Sequence, residues 1–331
     1  MTRRPATLLR STVLLAATAI ALTACGSNDA ETETASAPAG GAFPATVATK
    51  FGEVTVDTAP ERVAALGWGD AETALALGVQ PVAASDWLAF GGDGVGPWAE
   101  GLYASSPELI GTIEPSYEML AAQAPDLILD TKSSGELSRY EALSKIATTV
   151  SGPEGSDAYL TSLDDQVTAV AAALGVPDKG AEVLSQIDAE FAQAVADNPA
   201  FAGKTVTVAA YTSEGWGAYV AGDSRVDFMT ELGFVNNPQV QSAASDNFFI
   251  PVSDENLNLL DADLLIVLPI YVAADEVTNN AVFQQIPAVR DGRFLVLDSD
   301  SDISAAFSTN SALSVPFALD ELVPLVAERV N

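Results

Sequence analysis

The sequence contains no histidine and one cysteine among its 331 residues. Without imidazole or a thiolate cluster, a bare zinc, copper or manganese ion has no nitrogen or sulfur ligand set. The same gap removes Ser-His and Cys-His nucleophile systems. A lone cysteine leaves the mature domain without an internal disulfide, so stability must come from an ordinary core. There is no Gly-x-Ser-x-Gly elbow, no phosphate-binding Gly-x4-Gly-Lys-Ser/Thr loop and no calcium loop with its closing glutamate. The nearest acidic run, Asp298-Ser-Asp-Ser-Asp302, reads as a solvated loop. Basic residues are also scarce, 14 Lys and Arg against 45 Asp and Glu, for a net charge of −31. Such a surface repels phosphate backbones, which excludes nucleic acid and favours neutral or cationic partners.

Three of the few arginines, Arg3, Arg4 and Arg10, precede an uncharged stretch from Ser11 to Ala21. That stretch is too short to span a membrane and has the length of a secretory signal core. It closes on Leu22-Thr-Ala-Cys25-Gly26, which resembles the bacterial lipobox, so residues 1–24 read as a lipoprotein signal peptide and Cys25 as the lipidation site. Cleavage there would leave 11 basic against 45 acidic residues, a net charge of −34. Acylation places the mature protein on the outer face of the cytoplasmic membrane. Residues 25–48, rich in Ala, Ser, Thr, Gly and Pro without periodicity, read as a flexible tether.

Beyond the tether, short β-rich runs alternate with amphipathic stretches. Strands are expected at 62–66, 81–85, 126–130 and 148–151, with helices at 70–77, 116–123 and 136–145 between them, the grammar of a parallel α/β sheet. After Gly175-Val-Pro177 a proline-free helix is expected over 178–197. It carries apolar residues at Val183, Leu184, Ile187, Phe191, Ala194 and Val195, near the i, i+3, i+4, i+7 template. Strands resume at 205–211, 264–270 and 294–298. The layout is a lobe over 49–176, a connecting helix over 177–198 and a second lobe over 199–331. Aligning Gly78 with Gly233 superposes residues 69–78 on 224–233 and brings Glu72 onto Asp227. Acids in a first helical turn are expected from the helix dipole alone, but a matched pair also suggests one acidic knob per lobe.

The segments "APERVAALGWGDAETALALGVQPVAASDW", "EPSYEMLAAQAPDLILD", "VSDENLNLLDADLLIVLP" and "IPAVRDGRFLVLDSD" follow one another in this order. In that order the chain, from Phe51 to Val330, resembles the siderophore-type periplasmic binding proteins, the substrate-binding lipoproteins of iron-siderophore ABC importers. The resemblance implies an α/β fold of two Rossmann-like lobes joined by a single long rigid helix, the class III arrangement of the helical-backbone metal receptors. It implies a ligand in the cleft between the lobes, and one surface acid per lobe, here Glu72 and Asp227, docking onto permease arginines. Ferric iron would arrive only as a siderophore complex, with no intrinsic cofactor, and the partners would be the ABC permease subunits, with the chain itself a monomer. Cobalamin-binding and haem-binding members share these segments.

In open α/β sheets ligands bind beyond the carboxyl ends of strands. Trp68, Trp87, Lys132, Tyr211 and Tyr271 follow or close successive strand-like runs, and Trp216 is another ring flanked by glycines. Each ring taken singly could equally pack a loop, but their recurrence suggests a cleft lined by flat apolar faces. Arg225 stands in a first helical turn, against the dipole, so it needs a partner. That partner is either Asp223 or Asp227, or an anionic oxygen of the ligand held by the guanidinium fork. Arg139 reads as solvated surface and Asp70 as a helix cap. A carboxylate-only hydrolase and an adhesive surface protein are the other classes, separable by turnover of a chromogenic substrate and by the absence of any small-molecule thermal shift.

Overall fold

A computed structural model describes residues 43–245 and 247–330. The signal sequence and Cys25 lie outside the described residues. The first described element is a hairpin of β1 (Ala45–Thr49) and β2 (Gly52–Val56), paired antiparallel. It begins inside the segment read as tether: Val47, Val54 and Val56 alternate with exposed residues and are buried in the core of the first half. Alternation over five residues was too short a signal against the polar tract before it.

Five parallel strands form the first sheet: β3 (Val63–Ala65), β4 (Ala83–Ala84), β5 (Glu108–Leu109), β6 (Leu127–Asp130) and β7 (Thr148–Ser151), in the order β5-β4-β3-β6-β7. Successive side chains point to opposite faces, and both faces are covered. Val63, Leu127 and Leu129 join a core with the hairpin, while Ala64 and Ile128 join another with Leu120 and Leu143. Helices α1 (Asp70–Ala76), α2 (Tyr117–Ala122), α3 (Leu137–Leu143) and α4 (Leu163–Ala173) accompany this sheet.

Helix α5 (Pro177–Asp197), 21 residues long, leads to the second half. It starts with proline at its first turn, where the missing N–H costs nothing, and buries Ile187 and Phe191 against Phe201, Phe228 and Leu319.

The second sheet has six strands: β8 (Thr205–Thr212), β9 (Gly215–Tyr219), β10 (Val235–Asn236), β11 (Phe249–Val252), β12 (Leu264–Pro269) and β13 (Phe294–Val296). Its path is β11-β9-β8-β12-β13, with β10 also pairing β8; β12 and β13 run parallel to β8, and β9 and β11 add antiparallel pairs. Val206, Val208, Leu264 and Ile266 face one core; Ala209, Leu265 and Val267 face the other. Around it lie α6 (Ser224–Glu231), α7 (Pro238–Ser242), α8 (Ala274–Thr278), α9 (Pro287–Arg290), α10 (Asp302–Thr309) and α11 (Ser314–Val330). The expected α/β class is present, with a parallel first sheet; the second sheet departs from the expected parallel pattern, because the glycine-flanked hairpin of β8 and β9 and the edge strand β11 pair antiparallel. The internal match is real at the helix ends: Leu77 and Leu232 close α1 and α6, and Gly78 and Gly233 follow with φ of 82° and 94°.

Candidate functional site

The first sheet winds from β3 outward to β5, then restarts at β6 on the other side of β3. The junction of β3 and β6 is therefore a topological switch point, where open α/β sheets leave a crevice. Trp68 follows β3 and Lys132 follows β6. Trp68 stacks on Trp87, ring centroids 5.8 Å apart and planes at 10°, and Tyr159 meets the edge of Trp87 at 5.7 Å. The indole N–H of Trp87 donates to the Leu66 carbonyl at 3.0 Å, whereas the buried N–H of Trp68 has no partner.

Two glycines make this turn possible. Gly69 has φ +85° and caps α1 in a left-handed conformation, which costs glycine little. A Cβ on Gly67 would fall 2.2 Å from Oδ2 of Asp70 and 2.8 Å from the amide nitrogen of Lys132. Asp70 itself is not the cap; its buried carboxylate turns inward to Gly67 and Thr131.

Lys132 is 2% exposed and its Nζ has no hydrogen-bond partner. Burial pulls the amine down from 10.5 to about 8, partly offset by the charges of Asp223, Asp70 and Asp227 and reinforced by Arg225. Asp223, Arg225 and Asp227 belong to the second half, so charges from both halves act on this amine. There the Arg225 guanidinium is bidentate to Asp223, at 2.8 and 2.6 Å, and lies 3.8 Å over the Tyr219 ring. Of the partners open to Arg225, the structure shows Asp223.

A cavity of about 500 Å³ has Tyr159 and Asp164 from the first half, Asp188 from α5, and Asp227 and Glu231 from α6 on its walls; Tyr159 is the member of the aromatic group that lines it, and Trp68, Trp87, Lys132 and Arg225 do not. Burial and mutual repulsion raise the carboxyls of Asp164, Asp227 and Glu231. Among the described residues, no cluster of three or more His, Cys, Asp or Glu side chains is placed to hold a metal ion, and no helix is long and apolar enough to cross a membrane.

Several expectations are corrected. Trp216 is 4% exposed and stacked on Phe283 at 5.4 Å. Its glycine-flanked segment is not a loop but β9, whose alternation turns Trp216 and Ala218 into one core and Tyr219 to the other. Tyr211, opposite Trp216 in the ladder, is half-buried and packs on it at 4.5 Å. Tyr271 is fully exposed with φ +57° beyond the end of β12 and touches none of the other rings named here.

Glu72 is no surface knob. It is 3% exposed and accepts hydrogen bonds from Trp98 Nε1 at 2.8 Å, from the Gly96 amide at 3.3 Å and from the Ser311 hydroxyl. Desolvation raises its carboxyl. Asp227 is half-buried and accepts from the Gly222 amide at 3.1 Å. Arg139 is not solvated: it is 6% exposed, forks onto Asp130 at 2.8 to 3.1 Å and donates to the Ile113 carbonyl. Tyr159 was missed. It lies eight residues beyond the end of β7, and the carboxyl-end rule applied to that strand would have led toward it.

Two α/β sheets, an intervening helix and a cavity walled from both sides of that helix are the frame of a substrate-binding protein. The sequence model of the periplasmic binding protein family matches residues 63–301, and the chain belongs to that family. It is 28% identical over 251 residues to the probable siderophore-binding lipoprotein YfiY of Bacillus subtilis, covering 70% of this chain and 73% of YfiY. Its fold is similar to the iron uptake ABC transporter substrate-binding protein PiaA of Streptococcus pneumoniae, with TM-score 0.74, 25% identity, and 86% and 99% of the two chains covered. A periplasmic solute-binding protein of Mycobacterium smegmatis matches with TM-score 0.73, 29% identity, and 87% and 99% covered.

Proposed function

We propose that this chain is the extracytoplasmic binding component of an ABC importer, capturing a ferric siderophore between its halves and delivering it to a membrane permease. The observation that carries this reading is the stacked face of Trp68 and Trp87, edged by Tyr159, beside the buried and unpartnered amine of Lys132 at the switch point of the first sheet. Flat rings suit the organic shell of a chelate, and unpaired donors suit its oxygen atoms. Arg225 on its Tyr219 platform is the second half's contribution. The charges around Lys132 and Arg225 include Asp70, Asp223 and Asp227, so the crevice favours a hydroxamate or mixed chelate of low charge over a triply anionic catecholate. Iron is cargo here. The names of YfiY and PiaA support siderophore and iron transport. Cys25 is the proposed lipid attachment, holding a monomer at the outer face of the cytoplasmic membrane.

The test is intrinsic tryptophan fluorescence titrated with ferric hydroxamates, ferric catecholates, haem and cobalamin. Saturable quenching by a ferric hydroxamate or mixed chelate is expected. Saturation by haem or cobalamin alone overturns the siderophore assignment.

A further inference from the structure

We propose that Asp70 is a positioning residue for the binding face: it fixes Trp68 and Lys132 without itself facing the ligand. The inference rests on the reading of Trp68 and Lys132 as binding residues. Asp70 is 0% exposed, and its carboxylate collects four donors from three segments. Oδ2 accepts from the amides of Gly67 at 3.0 Å and Thr131 at 2.9 Å; Oδ1 accepts from the Thr131 hydroxyl and from Gln166 Nε2 at 2.7 Å. These donors belong to the turn after β3, the turn after β6, and α4. The first two carry Trp68 and Lys132.

The main chain of Trp68 is then held at both ends by groups that Asp70 secures. Its amide donates to the Lys132 carbonyl at 2.8 Å, and its carbonyl accepts from the same Gln166 Nε2 at 2.9 Å. A third tie, from the Thr161 hydroxyl to the Thr131 carbonyl at 2.7 Å, links this knot to the segment entering α4. All four groups around the carboxylate are donors, so an acceptor-only side chain is required, and an asparagine would turn an NH₂ toward them. The amide of Gln166 could flip to meet that NH₂, because its Oε1 is unpartnered. The Trp68 carbonyl would then lose its donor. Removing Asp70 therefore acts on the orientation of the Trp68 ring, one residue before the cap of α1 and two before Asp70 itself.

The experiment compares the wild-type protein with Asp70→Asn, Gln166→Leu and Trp68→Phe. The difference in near-ultraviolet circular dichroism between wild type and Trp68→Phe defines the signal of Trp68 in its stack. Asp70→Asn is expected to melt cooperatively, to lose most of that signal, and to weaken binding of a ferric hydroxamate by about tenfold, the worth of one good hydrogen bond. If Asp70→Asn fails to fold, Gln166→Leu carries the test, because it frees the Trp68 carbonyl and keeps the carboxylate. Retention of the Trp68 signal and of wild-type affinity in a folded variant overturns the positioning role. If wild type binds none of the chelates, the siderophore reading fails, while the dichroism still decides whether Asp70 orients Trp68.

Discussion

Glu72 gives the sharpest separation between a surface acid and a structural one. Its carboxylate joins α1 to Trp98, 26 residues on, and to Ser311, 239 residues on, at the start of the segment leading into α11. Trp98 also packs on Phe317 of α11 at 5.4 Å. Truncation to alanine strands the Trp98 and Gly96 N–H groups in a buried site and removes the acceptor of the Ser311 hydroxyl, a rotor that the Ser314 amide, itself a donor to Ser311 Oγ at 3.1 Å, does not satisfy. Each stranded donor costs about 1–3 kcal/mol, so Glu72→Ala should lose about 4 kcal/mol. For a chain of this size the fall in Tm is on the order of 10 °C. A solvated acid would change stability by less than about 0.5 kcal/mol. Glu72→Gln should fall between, since its amide still offers one acceptor. The assay is differential scanning fluorimetry at pH 7. An alanine variant melting within about 2 °C of wild type would refute the buried latch and restore Glu72 to the surface.

Lys132→Met should stabilise the protein and abolish ligand binding together. The amine's displacement from 10.5 to about 8 corresponds to about 3 kcal/mol at neutral pH, read as a rise in Tm; a fall would contradict an unpaired buried charge. The carboxyls of Glu72 and Asp130 are raised, with burial the largest cause, so the folded state holds their protons more tightly than the unfolded chain. Their contribution is full below the ordinary carboxylate range near about 4 and is lost as pH rises through the raised folded values. Stability should accordingly rise as pH falls through the raised folded values, opposed by Lys132, whose lowered amine must take up a proton as pH falls through about 8; melting curves across the range that show stability falling steadily toward acid contradict this. Trp216→Ala should cost about 3–5 kcal/mol in stability and leave chelate affinity unchanged, measured by melting and by titration; a matching loss of affinity in a folded variant would return Trp216 to the site.

What was legible in the sequence was whatever periodicity encodes. Leu127, Ile128 and Leu129 form an unbroken apolar run because both faces of a parallel sheet are covered. The spacing of Ile187 and Phe191 marks the buried side of α5. Trp68 between two glycines was readable because Gly67 and Gly69 answer to local geometry, a close approach and a left-handed cap. The illegible residues depend on distant partners. Nothing near Glu72 announces Ser311, and Arg139 reads as a surface cation until Asp130 is placed beside it. Trp216 was misread because β9 is short and glycine-rich, so its alternation is visible only once it pairs with β8 and β11.

The most direct measurement is a fluorescence titration of wild type, Trp68→Leu and Trp216→Phe with one ferric trihydroxamate. Saturable quenching is expected in wild type and in Trp216→Phe, with affinity reduced by at least about tenfold in Trp68→Leu. Equal affinity in wild type and Trp68→Leu, or no saturation in any of the three, would contradict a chelate bound against the paired indoles.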